Sequence, residues 1–473
     1  MTPDLALDLA ALAATTRYEN LPAPAIEAAK KSILDTVGVA IAASGLEPAV
    51  RPIAELALDA GGRADCVVLG FGGRASAPMA AFVNGALAHC LDFDDRTPWG
   101  SHASSSAVPA ALAVAQHQGG ITGTRLIAAV AVAQDIFVRL RCNVGWRKDW
   151  NPSSVIGVFS ATAAAASVLG LSAEQAHHAL GIASMEAAGT MQMITGTGSD
   201  LRGMYAGFSA KGAVIAALLA QKGLTGVDGL FEGEAGIINA YFGGAYDRAQ
   251  MLADLGRDFR GAQTLYKPWP AVGISHTYIH AMIHLMRENG LRAADLREIR
   301  LFVGDFQQRM CNPFEARRAP KTLVDAKFSL PYCVALAAVH GNVGISHFAA
   351  DNLADPVVLE TARRIVSVQD DSRDWKTESP IGRIEVLTTD GRTIDREGRA
   401  VPGSAEAPLS WADLERKFRD CAAVSAKPLA PATIERALQV FRELESVNDI
   451  GTFCAAVHPD RTDHSAKENP CLS

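Results

Sequence analysis

From about residue 24 to 265 the apolar residues fall almost without break on a helical repeat, and the faces they define are built from alanine, glycine and serine. In AIEAAKKSILDTVGVAIAAS (25–44), Ile26, Ile33, Val37 and Ile41 share one face with Ala29 and Ala40 beside them, the spacing of a helix and not of a strand. The same texture recurs in MAAFVNGALAHCLDF (79–93), VPAALAVAQHQG (108–119), RLIAAVAVAQDIFVRLR (125–141), VIGVFSATAAAASVLGL (155–171), AEQAHHALGIASMEA (173–187) and FSAKGAVIAALLAQKG (208–223). Small side chains let helix axes approach closely, so this region predicts a multi-helix body with tight crossings. Its glycines fall mostly between the runs, where helix ends favour them.

After about residue 266 the period changes. REIRLFVGD (297–305) and GRIEVLTTDGRTIDREGRA (382–400) alternate as strands do, the second around Asp390 and Gly391, a pair that predicts a hairpin. KFSLPYCVALAAVHG (327–341) lies between them as a helical segment. SWADLERKFRDCAA (410–423) opens with a serine cap and Asp413 at the third helical position, and ATIERALQVFRELESV (432–447) is helical again. The expected class is mainly α: a large all-helical domain over 1–265, to which 406–473 returns, and a smaller α+β lid domain over 266–405. The tail after His458, PDRTDHSAKENPCLS, reads as disordered.

At 473 residues the chain exceeds what one core usually holds, roughly 250–300 residues. The net charge of −7, with no polybasic face, argues against a nucleic-acid partner. The eight cysteines stand singly, without a CxxC pair or histidines at ligand spacing, which disfavours structural zinc and iron–sulfur clusters. Asp4 and Asp8 occupy the place where a secretory signal is basic and then apolar, and a cytoplasmic location is expected. The run from Val155 approaches membrane-spanning length, but its Ala, Gly, Ser and Thr gain little in lipid. It is read as a buried core helix, with no membrane partner.

Four polar clusters interrupt this apolar background. LDFDDRTPWGSHASS (91–105) packs Asp92, Asp94, Asp95, Arg96 and His102 into a loop between helices, a common place for chemistry, although carboxylates in such clusters also serve as caps and ion-pair partners. YKPWPAVGISHTYIHA (266–281) sets Lys267 beside two prolines, with His276 opening a helix; a domain hinge with a surface lysine is the plainer alternative. SDLRGMYAGFSAKG (199–212) puts Arg202 and Tyr205 three apart, on one face if the helix includes both. In DAKFSLPYCVA (325–335), Tyr332 is either a site residue or a core aromatic with a satisfied hydroxyl. The glycine-rich ITGTGSDLRG (194–203) lacks the strand and the Lys-Ser/Thr end of a phosphate loop. HExxH and GxSxG do not occur.

Taken in order, AKKSILDTVGVAIA, FVNGALAHCLDFDD, the glycine-rich segment with LLAQKGLTG and FEGEAG, YKPWP with its later histidine, AKFSLPYCVALA and PGSAEAPLSWADLERKFRDCAA resemble the MmgE/PrpD family nearly end to end. The resemblance implies a helical domain formed by both ends of the chain, a lid domain, a site between them, a homodimer, and no metal or organic cofactor. By motif it carries the family's acidic residue to Asp92, its histidines to His102 and His276, its lysine to Lys267 and its tyrosine to Tyr332. The sequence departs from the family pattern at Arg96 after DFDD, at Asn151 in WNPSS where relatives carry histidine, at Arg202 and Tyr205 where they carry lysine and histidine, and at Val272.

The activity so implied is a lyase reaction, foremost dehydration of a 2-methylcitrate-like hydroxy-polycarboxylate by proton abstraction beside a carboxylate. Epimerisation or decarboxylation of a small polycarboxylate, or binding without turnover, are the alternatives. Dehydration needs cations for carboxylates, a base, and an acid for the departing hydroxyl. Arg202 suits the first role through its planar fork, with Lys267 as a second carboxylate holder, Arg96 as a further clamp, and Asn151 and Tyr205 as substrate contacts. His102, whose ordinary pKa lies near ~6.5, is the expected proton-transfer residue, oriented by Asp92, with Tyr332 or His276 as the second acid.

Overall fold

The computed structural model describes residues 3–457 apart from 147, 196 and 376–379, so the expected disorder of the tail lies outside the described residues. The fold is mainly α. The body is assembled from Leu5–Thr15, Ala23–Leu46, Ala77–Cys90, Ser104–Gln118, Gly123–Asn143, Gly157–Leu169, Ala173–Ala183 and Tyr205–Gln221. One close crossing joins Ala77–Cys90 to Tyr205–Gln221. A Cβ on Gly85 would stand 2.8 Å from the Gly207 Cα, and one on Gly207 would stand 2.3 Å from the Phe82 carbonyl oxygen. Backbone therefore touches backbone, which no larger residue permits, and the C-terminal end of one helix is locked beside the start of the other.

Two boundaries differ from the sequence expectation in ways that shape the site. The helix expected from residue 108 begins at Ser104 and carries Pro109 inside it. Its first turn is anchored by Ser104, whose hydroxyl donates to Asp95, nine residues earlier, at 2.5 Å. The apolar run from Val155 is broken by a turn, Pro152–Val155, before Gly157–Leu169, and the whole stretch 152–169 is buried among other helices.

The lid carries a four-stranded sheet in the order Ile365–Gln369, Leu296–Val303, Arg383–Thr388, Thr393–Glu397. Leu296–Val303 pairs in parallel with Ile365–Gln369 (Ile299 opposite Ile365) and antiparallel with Arg383–Thr388 (Ile299 opposite Val386). A register shift between Leu296 and Glu298 explains why the buried positions run 296, 299, 301, 303 instead of strictly alternating. The hairpin turns at Gly391, whose φ of +88° needs glycine. The parallel edge strand was not anticipated; IVSVQ follows helix Pro356–Arg363 directly and lacks turn residues to mark it.

The C-terminal helices Trp411–Ala423 and Pro431–Arg442 pack on Ala23–Leu46, while Ile450–Ala456 reaches Ser104–Gln118. Ser410 and Asp413 form the expected reciprocal cap. From the first of these helices Lys417 extends inward, pairing with Asp35 at 2.7 Å and donating to the carbonyls of Phe93 at 2.6 Å and Lys267 at 3.1 Å. One buried ammonium thus clips together the two segments that supply Asp92 and Lys267.

Candidate active site

Helix Ala77–Cys90 ends at the acidic loop, and the chain turns through Asp92 with φ +48°, the left-handed region that aspartate tolerates better than most residues. The turn sends the Asp92 side chain inward, where it is 2 % exposed. Lys267 forms a short ion pair with Oδ1 and donates to the Asp92 carbonyl at 2.8 Å. Burial by itself raises the Asp92 pKa, but Lys267, then His102 and His89, outweigh it, and the carboxyl ends below its ordinary value. Its second oxygen, Oδ2, is buried without a hydrogen-bond partner.

Asp94 sits between two imidazoles. His89 Nδ1 lies 3.0 Å from its carboxylate, and His102 Nδ1 lies 3.0 Å from Oδ2 and 2.7 Å from the Asp95 carbonyl. Both partners of His102 Nδ1 accept hydrogen bonds, so this nitrogen carries the proton and Nε2 is the ring nitrogen left for other partners. Burial works against the charged form of Asp94, yet the two histidines hold it well below the usual carboxylate range. His102 is further placed by its backbone N–H, which donates to Ser153 Oγ at 3.1 Å, and its ring meets that of His89 at 4.5 Å. Asp92 Oδ1 stands 3.6 Å from His102 Nε2, near enough to stabilise an imidazolium through space.

His102, His89, Asp92, Arg96, Asn151, Arg202 and Tyr205 line one cavity of about 110 Å³ between body and lid. Arg202 is 4 % exposed, its guanidinium stacks 3.8 Å from the Phe328 ring centroid, Nη2 lies 3.2 Å from Met310 Sδ, and Nε has no partner. Among the described residues no carboxylate comes within ion-pair distance of it. Burial, then Arg317, pushes its pKa down to about 9; a guanidinium keeps its proton under such pressure, so this is a buried cation awaiting an anion. Arg96 is less buried: its backbone pairs both ways with Leu265 at 2.8 Å, its side chain lies along Gly273, Nη1 reaches the Thr97 carbonyl at 3.5 Å, and burial pushes it down to about 10 with no ion pair among the described residues.

The other expected residues are placed as follows. Arg202 lies in a 3₁₀ turn, Asp200–Gly203, and Tyr205 opens the next helix, so they do not share one α-helical face although both reach the cavity. The Tyr205 ring meets that of His89 at 4.4 Å, and burial, with Asp94 nearby, raises its hydroxyl well above the ordinary tyrosine value. Asn151 caps Pro152–Val155 through Oδ1. Lys267 is not in the cavity wall, because its charge is directed at Asp92. His276 is also outside the wall; its Nε2 donates to the Ala271 carbonyl at 3.0 Å, and burial, with Lys267 and Arg96 nearby, keeps it neutral. Tyr332 is fully buried elsewhere, its hydroxyl 3.5 Å from the Asn352 carbonyl. His89 also lines the cavity, marked in the sequence only by its place at the end of its helix five residues before Asp94, as do the ring residues Trp146, Phe306, Phe328 and Trp375, which come from distant segments and carry no local mark.

Donor atoms of His89, Asp92, Asp94 and His102 lie within 4.8 Å of one another, as metal ligands do. The donor set does not fit a divalent cation: Asp94 is engaged by two N–H groups, and Asp92 already faces the Lys267 ammonium, which opposes a second positive charge.

A helical body, a smaller part with a mixed sheet, and between them a cavity that holds a carboxylate-bound histidine and guanidinium groups outside ion pairs make up the candidate site. The MmgE/PrpD N-terminal domain matches residues 7–249 and the MmgE/PrpD C-terminal domain matches 269–443, so the chain belongs to the MmgE/PrpD family. The second match includes the returning helices up to residue 443. The chain is 25% identical over 406 residues to a cis-aconitate decarboxylase of Homo sapiens, covering 83% of this chain and 82% of that one. It is 26% identical over 438 residues to that of Mus musculus (90% and 87%), and 24% identical over 428 residues to one of Aspergillus terreus (85% and 86%). These relatives are lyases, and the likeness supports a lyase of this family in general.

Proposed function

We propose that this chain is a lyase that decarboxylates a small polycarboxylate, with Arg202 holding a retained carboxylate and His102 Nε2 delivering a proton to carbon. The observation that carries the reading is the shared cavity wall: an imidazole with Nδ1 tied down and Nε2 free, and a buried guanidinium with an unpartnered Nε. In the step, the bond from carbon to the departing carboxylate breaks and carbon dioxide leaves. The electron pair stays on carbon and spreads toward the retained acyl group, whose growing charge Arg202 stabilises. The proton then passes from Nε2 to that carbon, and solvent reprotonates His102. Asp92, kept ionised by Lys267, stabilises the imidazolium before transfer.

Dehydration of a 2-methylcitrate-like substrate uses the same carbanion but needs a second acid for the hydroxyl. Tyr332 and His276 do not line the cavity, and burial of Tyr205, which does, favours its hydroxyl keeping its proton. The names of the curated relatives point the same way as this chemistry. A homodimer, as the family resemblance implies, belongs to the same proposal. Incubation with cis-aconitate, 2-methylcitrate, citrate and alkyl- and benzyl-substituted unsaturated dicarboxylates in heavy water, followed by NMR and carbon dioxide release, tests it. One deuterium incorporated per carbon dioxide released supports decarboxylation; water loss without carbon dioxide overturns it in favour of dehydration, scrambling without product favours epimerisation, and no exchange with any substrate favours a binder.

A further inference from the structure

Beside the ionic groups, the same cavity has a wall of rings. Trp146 follows helix Gly123–Asn143 of the body, Phe306 follows strand Leu296–Val303 of the lid, and Trp375 follows strand Ile365–Gln369. Their centroids are 5.0 Å apart for Phe306 and Trp375, 6.2 Å for Trp146 and Trp375, and 6.3 Å for Trp146 and Phe306, with the two indoles nearly perpendicular at 78°. Gly100 makes room for the third ring: a Cβ there would stand 2.4 Å from Trp375. Met191, Ile194 and Val272 extend the apolar lining.

Two features argue that this corner faces a ligand and is not merely a clasp between body and lid. Trp146 Nε1 donates to the Trp150 carbonyl at 3.0 Å, but the more deeply buried Trp375 Nε1 has no partner among the described residues. A buried unpartnered indole N–H is costly unless something polar visits it. The supply of cations points the same way. A tricarboxylate needs three anion holders, and with Lys267 committed to Asp92 the wall offers two free ones, Arg202 and Arg96.

We propose that the substrate is a dicarboxylate bearing an apolar, aromatic or branched substituent in place of a third carboxylate, and that Trp146, Phe306 and Trp375 are the residues that select it. The inference rests on the carboxylate-site reading above. The two carboxylates meet Arg202 and Arg96, the substituent packs against the three rings, and the carboxylate next to its point of attachment accepts from the Trp375 N–H. Asn151, which is uncharged, and the aliphatic Val272 fit this less ionic pocket.

Calorimetric titration of the full-length protein with three unreactive probes tests it: succinate without an arm, tricarballylate with a carboxylate arm, and benzylsuccinate with an aromatic one. Benzylsuccinate is expected to bind tighter than succinate by about tenfold, the order of an added aromatic contact, and tricarballylate no tighter than succinate. In Trp375→Leu, and more mildly in Trp375→Phe, which keeps the ring and removes the N–H, the benzylsuccinate-to-succinate affinity ratio falls. Tricarballylate binding tightest, or both Trp375 variants weakening benzylsuccinate and succinate in equal proportion, overturns the inference and leaves the carboxylate site standing. Binding of none of the three removes the carboxylate site itself, and the inference with it.

Discussion

Replacing Lys267 with methionine removes the cation that keeps Asp92 ionised while leaving the carboxyl buried. Both side chains are 1–2 % exposed, so solvent cannot take over the compensation. The penalty has a ceiling, because the carboxyl can take up a proton instead of remaining charged. For a carboxyl with an ordinary pKa near 3.9, forced protonation costs about 4 kcal/mol at pH 7 and about 1.5 kcal/mol at pH 5. The Asp92 carbonyl also loses its Nζ donor, worth about 1 kcal/mol at either pH. A loss of about 3–5 kcal/mol is expected at pH 7, in the range for breaking one partner of a buried pair, shrinking by about 2–3 kcal/mol at pH 5. The sign follows from burial no longer opposed by Lys267: the folded pKa of Asp92 rises above its unfolded value, so its contribution is complete below the unfolded pKa and is lost as pH rises. In the wild type, where that pKa is lowered, Asp92 stays ionised throughout pH 5–7 and adds no such slope. Lys267→Met with Asp92→Asn removes the charge from both sides, and its deficit is expected to be smaller than that of the single variant at pH 7 and level between pH 5 and 7. Urea unfolding followed by tryptophan fluorescence measures both. A single-variant deficit equal at pH 5 and 7, or a double variant no more stable at pH 7, refutes the reasoning.

His102→Gln, which keeps a hydrogen-bonding group on the Asp94 side but has no titrating nitrogen, is expected to lower turnover by about 10²–10⁴-fold, read as carbon dioxide release; a loss under about tenfold contradicts the assignment. Asp95 accepts hydrogen bonds from Ser32 and Ser104 at 2.5 Å each, yet burial pushes it up to about 7. Its contribution is therefore complete below about pH 4 and is lost on rising to pH 7, so Asp95→Asn is expected to gain on the wild type by up to about 4 kcal/mol between pH 4 and 8 in urea unfolding; parallel pH curves would contradict this. Gly85→Ala forces apart two backbones with no side chain to give way, and is expected to cost at least the roughly 1–3 kcal/mol of overpacking in thermal unfolding, whereas an unchanged midpoint would show that the crossing can relax.

The helical body, the hairpin around Asp390 and Gly391, and the Ser410 cap are legible in the sequence because they rest on interactions within a few residues: periodic burial, a turn that needs glycine, a side chain reaching its own helix. The acidic loop is legible as a site for the same reason, since Asp92, Asp94 and His102 are close in the chain. Tertiary structure decided what each ionisable group faces. Lys267 and Arg202 read alike as cations, but Lys267 meets Asp92 across 175 residues and is neutralised, whereas Arg202 stacks on Phe328 and stays unpaired. Tyr332 and His276 have the right chemistry, and packing turns their polar atoms to the Asn352 and Ala271 carbonyls. The ring wall of Trp146, Phe306 and Trp375 has no local signature at all, because an apolar side chain gives the same periodic signal whether it fills a core or lines a cavity; only the meeting of body and lid separates the two.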